Sequence, residues 1–309
     1  MPVEEELARI SPKKEMLLTI GVFDGVHKGH HFLISELMNR AKEAGLLAGI
    51  VTLSQPPEEL FNPDIRVPYL TTLDDRLTLL KATGADLVIP LIFGPDIATL
   101  TAREFVLLLR RFLKMRGLVI GEDFALGKMR RGNPAYLARL GKEMGFGVTV
   151  VPPVILNGEI ISSTAVRRAL AAGDMDKVSD LLGRPFSLAG KVIAGMGRGK
   201  TLGFPTANLD VPPEQAVPAD GVYATFTEID RAKFASVTNI GANPTFEGAR
   251  RTIETHIIGY TGNLYERTIR LYFIERIRGE KKFATPEALG AQIKADIIRG
   301  KRILSAAVE

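Results

Sequence analysis

Over roughly its first 150 residues the chain alternates short apolar runs with amphipathic stretches. Residues 17–22, 48–53, 86–91, 118–121 and 147–151 are brief runs rich in Leu, Ile and Val, the length of buried strands. Between them, residues 30–44, 72–83, 101–114 and 134–144 have helical spacing, as in Leu73, Leu77 and Leu80. Thr101 and Glu104 stand at capping-box spacing, and Gly84 closes the helix before it. Strands alternating with helices predict a parallel sheet covered on both faces. Ligands of such sheets bind beyond the carboxyl ends of the strands.

Two further helical stretches, 164–171 and 175–182, follow, and then the period changes. Residues 188–193, 221–226, 235–240, 252–258 and 268–273 are β-rich runs divided by Gly, Pro and Asn. A last helix opens at Thr285-Pro286 and runs to about residue 306. The change of pattern predicts two domains, residues 1–184 of α/β type and residues 185–309 β-rich with a C-terminal helix.

Composition fits this picture. A length of 309 residues is twice the roughly 150-residue domain prior, and 46% hydrophobic with 24% charged residues is ordinary for a globular chain. No apolar run approaches the ~20 residues of a membrane span. The first residues, Met-Pro-Val-Glu-Glu-Glu, are acidic where a targeting signal is basic, so a cytoplasmic protein is expected. Absence of cysteine excludes disulfides, zinc–thiolate sites and thiol catalysis. The net charge is +5, and residues 185–309 hold 17 basic against 13 acidic side chains, so most of the excess lies there. That surplus suits small phosphorylated ligands. Without a Lys/Arg run or a basic aromatic stripe, no nucleic-acid partner is expected.

Candidate chemistry falls in two places. Gly21-Val-Phe23-Asp24-Gly25-Val-His27-Lys-Gly29-His30 lies where a strand gives way to a helix. A helix start presents free N–H groups and a positive dipole to anions, and two imidazoles add donors. Far along the chain, Ser162-Ser163-Thr164-Ala-Val-Arg167 opens another helix with three hydroxyls and a guanidinium. An N-cap accounts for that string by itself; paired with the first, it reads as a clamp on a triphosphate. A zinc site at His27 and His30 is disfavoured, since only His31 and His256 remain as further histidines.

The second place is Gly195-Met-Gly197-Arg-Gly199-Lys200-Thr201. It is not a P-loop, because the required first glycine is Ala194 and Pro205 obstructs the helix that should follow. Its glycines still allow backbone N–H groups to approach phosphates. Leu202-Gly203-Phe-Pro205-Thr206-Ala-Asn208, Thr238-Asn-Ile-Gly-Ala-Asn-Pro-Thr-Phe246 and Ile253-Glu254-Thr-His256 follow. On a strand, Glu254 and His256 share a face.

Together these strings resemble the bacterial bifunctional riboflavin kinase/FMN adenylyltransferase family, also called FAD synthetase, over about residues 17–298. The resemblance implies that riboflavin is phosphorylated to FMN in a small antiparallel β-barrel domain with a C-terminal helix, and that AMP then passes from ATP to FMN in a Rossmann-like nucleotidyltransferase domain, giving FAD and pyrophosphate. It implies catalytic roles for His27, His30 and Arg167, and for Glu254 as general base. Nucleotide contacts would come from Gly21, Phe23, Asp24, Gly25, Asp123, Ser162, Ser163 and Thr164 in one site. In the other they would come from Gly195, Gly197, Gly199, Lys200, Gly203 and Pro205, with Thr206 and Asn208 holding Mg²⁺. Riboflavin, FMN and ATP are the implied partners, with no membrane partner.

The sequence departs from the family pattern at Ala125 and Leu126, where Arg and an aromatic are common, and at Leu53-Ser-Gln-Pro-Pro57. Both segments are expected near the flavin. Two other readings therefore stay open: a riboflavin kinase whose first domain is inactive, and a non-catalytic flavin- or nucleotide-binding sensor.

Overall fold

A computed structural model describes residues 3–54, 67–195, 199, 203–242 and 251–307. Residues 55–57, Gly197, Lys200 and 243–246, singled out above, lie outside the described residues. The chain divides into two compact units, Met1–Ser163 and Thr164–Glu309.

In the first unit, β1 (Met16–Gly21), β2 (Leu47–Leu53), β3 (Leu87–Leu91), β4 (Met115–Gly121) and β5 (Gly147–Val151) form a parallel sheet of order β3-β2-β1-β4-β5, and β6 (Ile155–Leu156) and β7 (Glu159–Ile160) pair as a short antiparallel ribbon. Each strand feeds both cores because successive side chains face opposite ways. Leu118 and Ile120 of β4 join a cluster with α1 (Val3–Ala8), α4 (Pro95–Thr99), α5 (Ala102–Leu113) and α6 (Pro134–Met144). Val119 joins the opposite cluster with α2 (Lys28–Ala44) and α3 (Leu73–Lys81). The Thr101 capping box forms as its spacing predicts, starting α5, whose Phe105, Val106, Leu109 and Leu113 are buried. Truncating Leu109 to alanine would cost about 2–5 kcal/mol. Helices α1 and α4 have no sequence forecast, being six and five residues long and too short for a periodic signal.

In the second unit, β8 (Phe186–Ile193), β9 (Ala207–Asp210), β10 (Gly221–Ile229), β11 (Ala232–Ala242), β12 (Arg251–Ile257) and β13 (Thr268–Arg278) close an antiparallel barrel of order β10-β11-β12-β9-β8-β13. Strand β9 is a four-residue element that sequence pattern does not reveal. α9 (Pro286–Ala306) packs on β10, β11 and β13, with Leu304 against Val222, Val237 and Ile277. α8 (Met175–Leu182) packs on β8 and β13, and α7 (Ser163–Ala172) offers its Leu170 carbonyl to the Ala219 N–H at 3.0 Å. These contacts are why packing divides the chain ahead of the 184/185 boundary expected from pattern.

Candidate active sites

The first motif leaves β1 through an unusual turn. Phe23 at φ 56° and Val26 at φ 40° are left-handed non-glycine residues flanking Gly25 at φ 79°. Each such conformation costs on the order of 1–3 kcal/mol and persists only where the surroundings over-determine it. Asp24 supplies the determination. It is 3% exposed, and its carboxylate accepts from the backbone N–H groups of Leu70 and Thr71 and from Thr71 Oγ1, at 3.0–3.1 Å. The Gly25 N–H donates to the same hydroxyl at 3.1 Å. The Asp24 side chain is thus engaged in shaping the turn.

Helix α2 begins two residues before its expected start because His27 caps it, accepting the His30 N–H on Nδ1 at 3.3 Å. With Nδ1 as acceptor, a neutral His27 carries its proton on Nε2 and presents that edge as a donor. The two imidazoles stack, with centroids 3.6 Å apart, and Phe23 meets His30 edge-on at 5.1 Å. Gly29 leaves space there: a Cβ would sit 3.1 Å from the His27 ring and 3.2 Å from the Ile161 carbonyl. Ser163, the first residue of α7, donates through Oγ to the Asp24 carbonyl at 2.9 Å. So Ile161 and Ser163 adjoin the first motif. Thr164 and Arg167 follow on α7, exposed and half-buried respectively, and belong to the second unit.

Beside the imidazoles, at the carboxyl ends of β1, β2 and β4, lies a cavity of about 700 Å³. Its walls are mainly apolar, with Leu53, Phe93, Phe105 and Phe124 among them, and His30, Asp123 and Arg130 are its charged or polar groups. That volume lies within the roughly 300–1,000 Å³ of small-molecule sites. Ala125 and Leu126, the departures from the family pattern, both line it.

In the second unit, alternation along β12 buries Ile253, Thr255 and Ile257 and turns Glu254 and His256 to the other face. Glu254 pairs across the ladder with Asn208 of β9 on one side and Asn239 of β11 on the other. His256 Nδ1 lies 2.9 Å from the Pro205 carbonyl, and its ring meets Phe204 edge-on at 5.8 Å. It fixes the segment that carries Thr206. The glycines press on this oxygen set: a Cβ at Gly195 would fall 2.0 Å from the Asn208 amide, and one at Gly199 3.3 Å from Thr206 Oγ1. Asn239 and His256 were not among the site residues expected from sequence. His256 shares the face of Glu254 by period-two alternation alone, whereas Asn239 joins that row only through the pairing of β11 with β12.

A cavity of about 350 Å³ adjoins Pro205, Thr206 and Thr255, bounded by the loop that carries Tyr260 and Tyr265. Thr255 is the end of a hydroxyl chain inside the barrel, in which Thr227, Ser236, Thr225 and Thr238 are linked at 2.8 Å and Thr238 donates to Thr255 at 3.0 Å. Arg278, the last residue of β13, makes a bidentate pair with Asp296 at 2.8–3.1 Å and lies over the Phe283 ring. The stretch 278–283 is therefore anchored to α9.

Two family models match the chain, FAD synthetase over residues 9–165 and riboflavin kinase over residues 182–304. A bifunctional riboflavin kinase/FMN adenylyltransferase of Pseudomonas fluorescens is 37% identical over 287 residues, 92% of each chain. That of Escherichia coli K12 is 37% identical over 93% of this chain and 92% of its own. The Listeria monocytogenes protein of the same name is 32% identical, covering 91% and 90%. A crystal structure from Streptococcus pneumoniae, titled a macrolide-efflux protein, superposes with a TM-score of 0.84 at 31% identity, covering 92% of this chain and 93% of that one. Among the described residues of this chain, no helix is long and apolar enough to cross a membrane.

Proposed function

The chain belongs to the bifunctional riboflavin kinase/FMN adenylyltransferase family, and from that premise we propose which residues carry each reaction. The two activities are phosphorylation of riboflavin by ATP to FMN, and adenylyl transfer from ATP to FMN, giving FAD and pyrophosphate. Residues 1–184 and 185–309 are the functional domains in this reading, the α/β domain serving the second reaction and the barrel the first.

In adenylyl transfer the FMN phosphate is itself the nucleophile, already ionised, so the protein needs no general base. Its task is to align two anions and to neutralise charge on the bridging oxygen. His27 Nε2–H and the His30 imidazole, at the positive end of α2, are assigned to the α-phosphate. Ser162, Ser163, Thr164 and Arg167 are assigned to the departing pyrophosphate, and Gly21, Phe23 and Gly25 to the nucleotide. Asp24 holds the turn on which these groups stand, and Asp123 borders the cavity. The flavin ring occupies the 700 Å³ apolar cavity beside His30. The observation that carries this assignment is the stacked imidazole pair, whose His30 lines that cavity.

Phosphorylation of an alcohol is different, because a hydroxyl is a poor nucleophile until it loses its proton. Glu254 is assigned that proton, taken from the riboflavin 5′-hydroxyl as it attacks the γ-phosphorus. Gly195, Gly197, Gly199, Lys200, Gly203 and Pro205 are assigned to the ATP phosphates, and the smaller cavity to the nucleoside. Thr206 and Asn208 offer neutral oxygens beside the Glu254 carboxylate. That donor set fits Mg²⁺, which prefers oxygen and keeps substrate phosphates and water as its other ligands. Bound there, the ion would supply charge neutralisation on the transferring phosphates. A cytoplasmic setting, with no nucleic-acid or membrane partner, completes the proposal.

The test is a product analysis. Purified chain with riboflavin, ATP and Mg²⁺ should yield FMN and then FAD by chromatography. FMN without FAD would contradict the role given to the first unit, and neither product would contradict both.

A further inference from the structure

The ligand end of the parallel sheet is held by a side chain that lies outside the cavity. Arg76 on α3 is 1% exposed. Its Nη1 donates to the carbonyls of Val22 and Leu53, each at 2.8 Å, and its Nη2 to that of Ser54 at 3.4 Å. Val22 leads from β1 into the Phe23–Asp24 turn, whereas Leu53 and Ser54 end β2. Both Val22 and Leu53 line the 700 Å³ cavity. A second tie reaches the same oxygen, since the buried Thr52 Oγ1 donates to the Val22 carbonyl at 3.0 Å.

This is a costly way to fill a core. Burial pushes the guanidinium pKa down and the nearby Asp24 carboxylate draws it back, yet among the described residues its hydrogen bonds run to carbonyl oxygens. Among the described residues, buried Arg76 Nε has no hydrogen-bond partner. An apolar side chain would fill the same place with no charge to desolvate. What it would not do is bind two strand ends to each other.

We propose that Arg76 is a positioning residue for adenylyl transfer, locking the β1 exit that carries the nucleotide turn to the β2 exit that flanks the flavin cavity. The proposal rests on assigning that reaction to the first unit. Without the tie each strand end still binds its own ligand, but the FMN phosphate and the α-phosphorus lose their fixed separation. Loss then appears in kcat rather than in KM. A displacement near 1 Å costs on the order of 10²-fold in rate.

Arg76→Met, Arg76→Lys and Thr52→Val test this in the full chain, with FMN formation from riboflavin in the same sample as the standard for intact protein. For Arg76→Met, kcat for FAD formation should fall about 100-fold, with KM for FMN and ATP within about threefold and the kinase rate unchanged. Arg76→Lys, which keeps the charge and three N–H donors, should recover about tenfold of that loss. Should Arg76→Met fail to fold, Arg76→Lys combined with Thr52→Val decides. Because both changes act on the Val22 carbonyl, their effects on kcat should be non-additive. Wild-type kcat in the folded Arg76 variants, a loss confined to one KM, or strict additivity would overturn the proposal. A wild-type chain that forms no FAD would instead overturn the assignment of the first unit on which it rests.

Discussion

The two units meet the same ligand, a nucleoside triphosphate, with different equipment. The first presents a helix start, stacked imidazoles and a turn pinned by a buried carboxylate. The second presents glycines, two neutral oxygens and a strand carboxylate on the barrel's outer face. The nucleophile accounts for the difference. A phosphate arrives charged and asks only for alignment and neutralisation, and the first unit's buried carboxylate, Asp24, holds the backbone. A hydroxyl arrives protonated, and in the proposed reading Glu254 of the second unit takes that proton.

The largest effects should come from breaking that division. Glu254→Gln keeps the shape of the side chain and removes its basicity, so FMN formation should fall by about 10²–10⁴-fold with FMN-to-FAD conversion intact. Both rates are read by chromatography of separate reactions, and loss of both would erase the contrast between the units. His30→Ala should do the reverse, lowering FAD formation by about 10²–10³-fold in kcat, the range seen when a donor to developing charge is removed. An undiminished FAD rate would remove His30 from the reaction.

Smaller effects sharpen the same contrast. His256→Ala frees the Pro205–Thr206 segment, and roughly a tenfold rise in KM for ATP in the kinase reaction is expected, with adenylyl transfer unchanged. The smallest concerns stability. Burial pushes the Tyr223 phenol up to about 12, and its hydroxyl donates to the Ala219 carbonyl at 2.5 Å. A raised folded-state value means a contribution present below the ordinary phenol value of 10 and lost as pH rises toward 12. Barrel unfolding monitored by circular dichroism should therefore show stability falling over that window, with a shallower fall in Tyr223→Phe.

Much of this was legible in the residues themselves. Periodicity marked the parallel-sheet helices and strands, and the capping box at Thr101 formed as spaced. The motif strings brought His27, His30, Glu254, Thr206 and Asn208 to notice, since each stands beside glycines or on an alternating strand. What stayed hidden depended on pairing in three dimensions. His27 as a helix cap moved the start of α2, and β9 became a strand only by joining β8 and β12. Arg76 did carry a faint signal, a charge on the stripe formed with Leu73 and Leu80. Its three carbonyl acceptors come from segments more than twenty residues away, beyond the reach of any local pattern.

One mixing experiment bears most directly on the claim of two separable sites. Glu254→Gln and His30→Ala chains are each given riboflavin, ATP and Mg²⁺, alone and then together. The account predicts almost no product from the first, FMN without FAD from the second, and FAD from the mixture. A mixture that stops at FMN, or either variant alone reaching FAD at the wild-type rate, would contradict it.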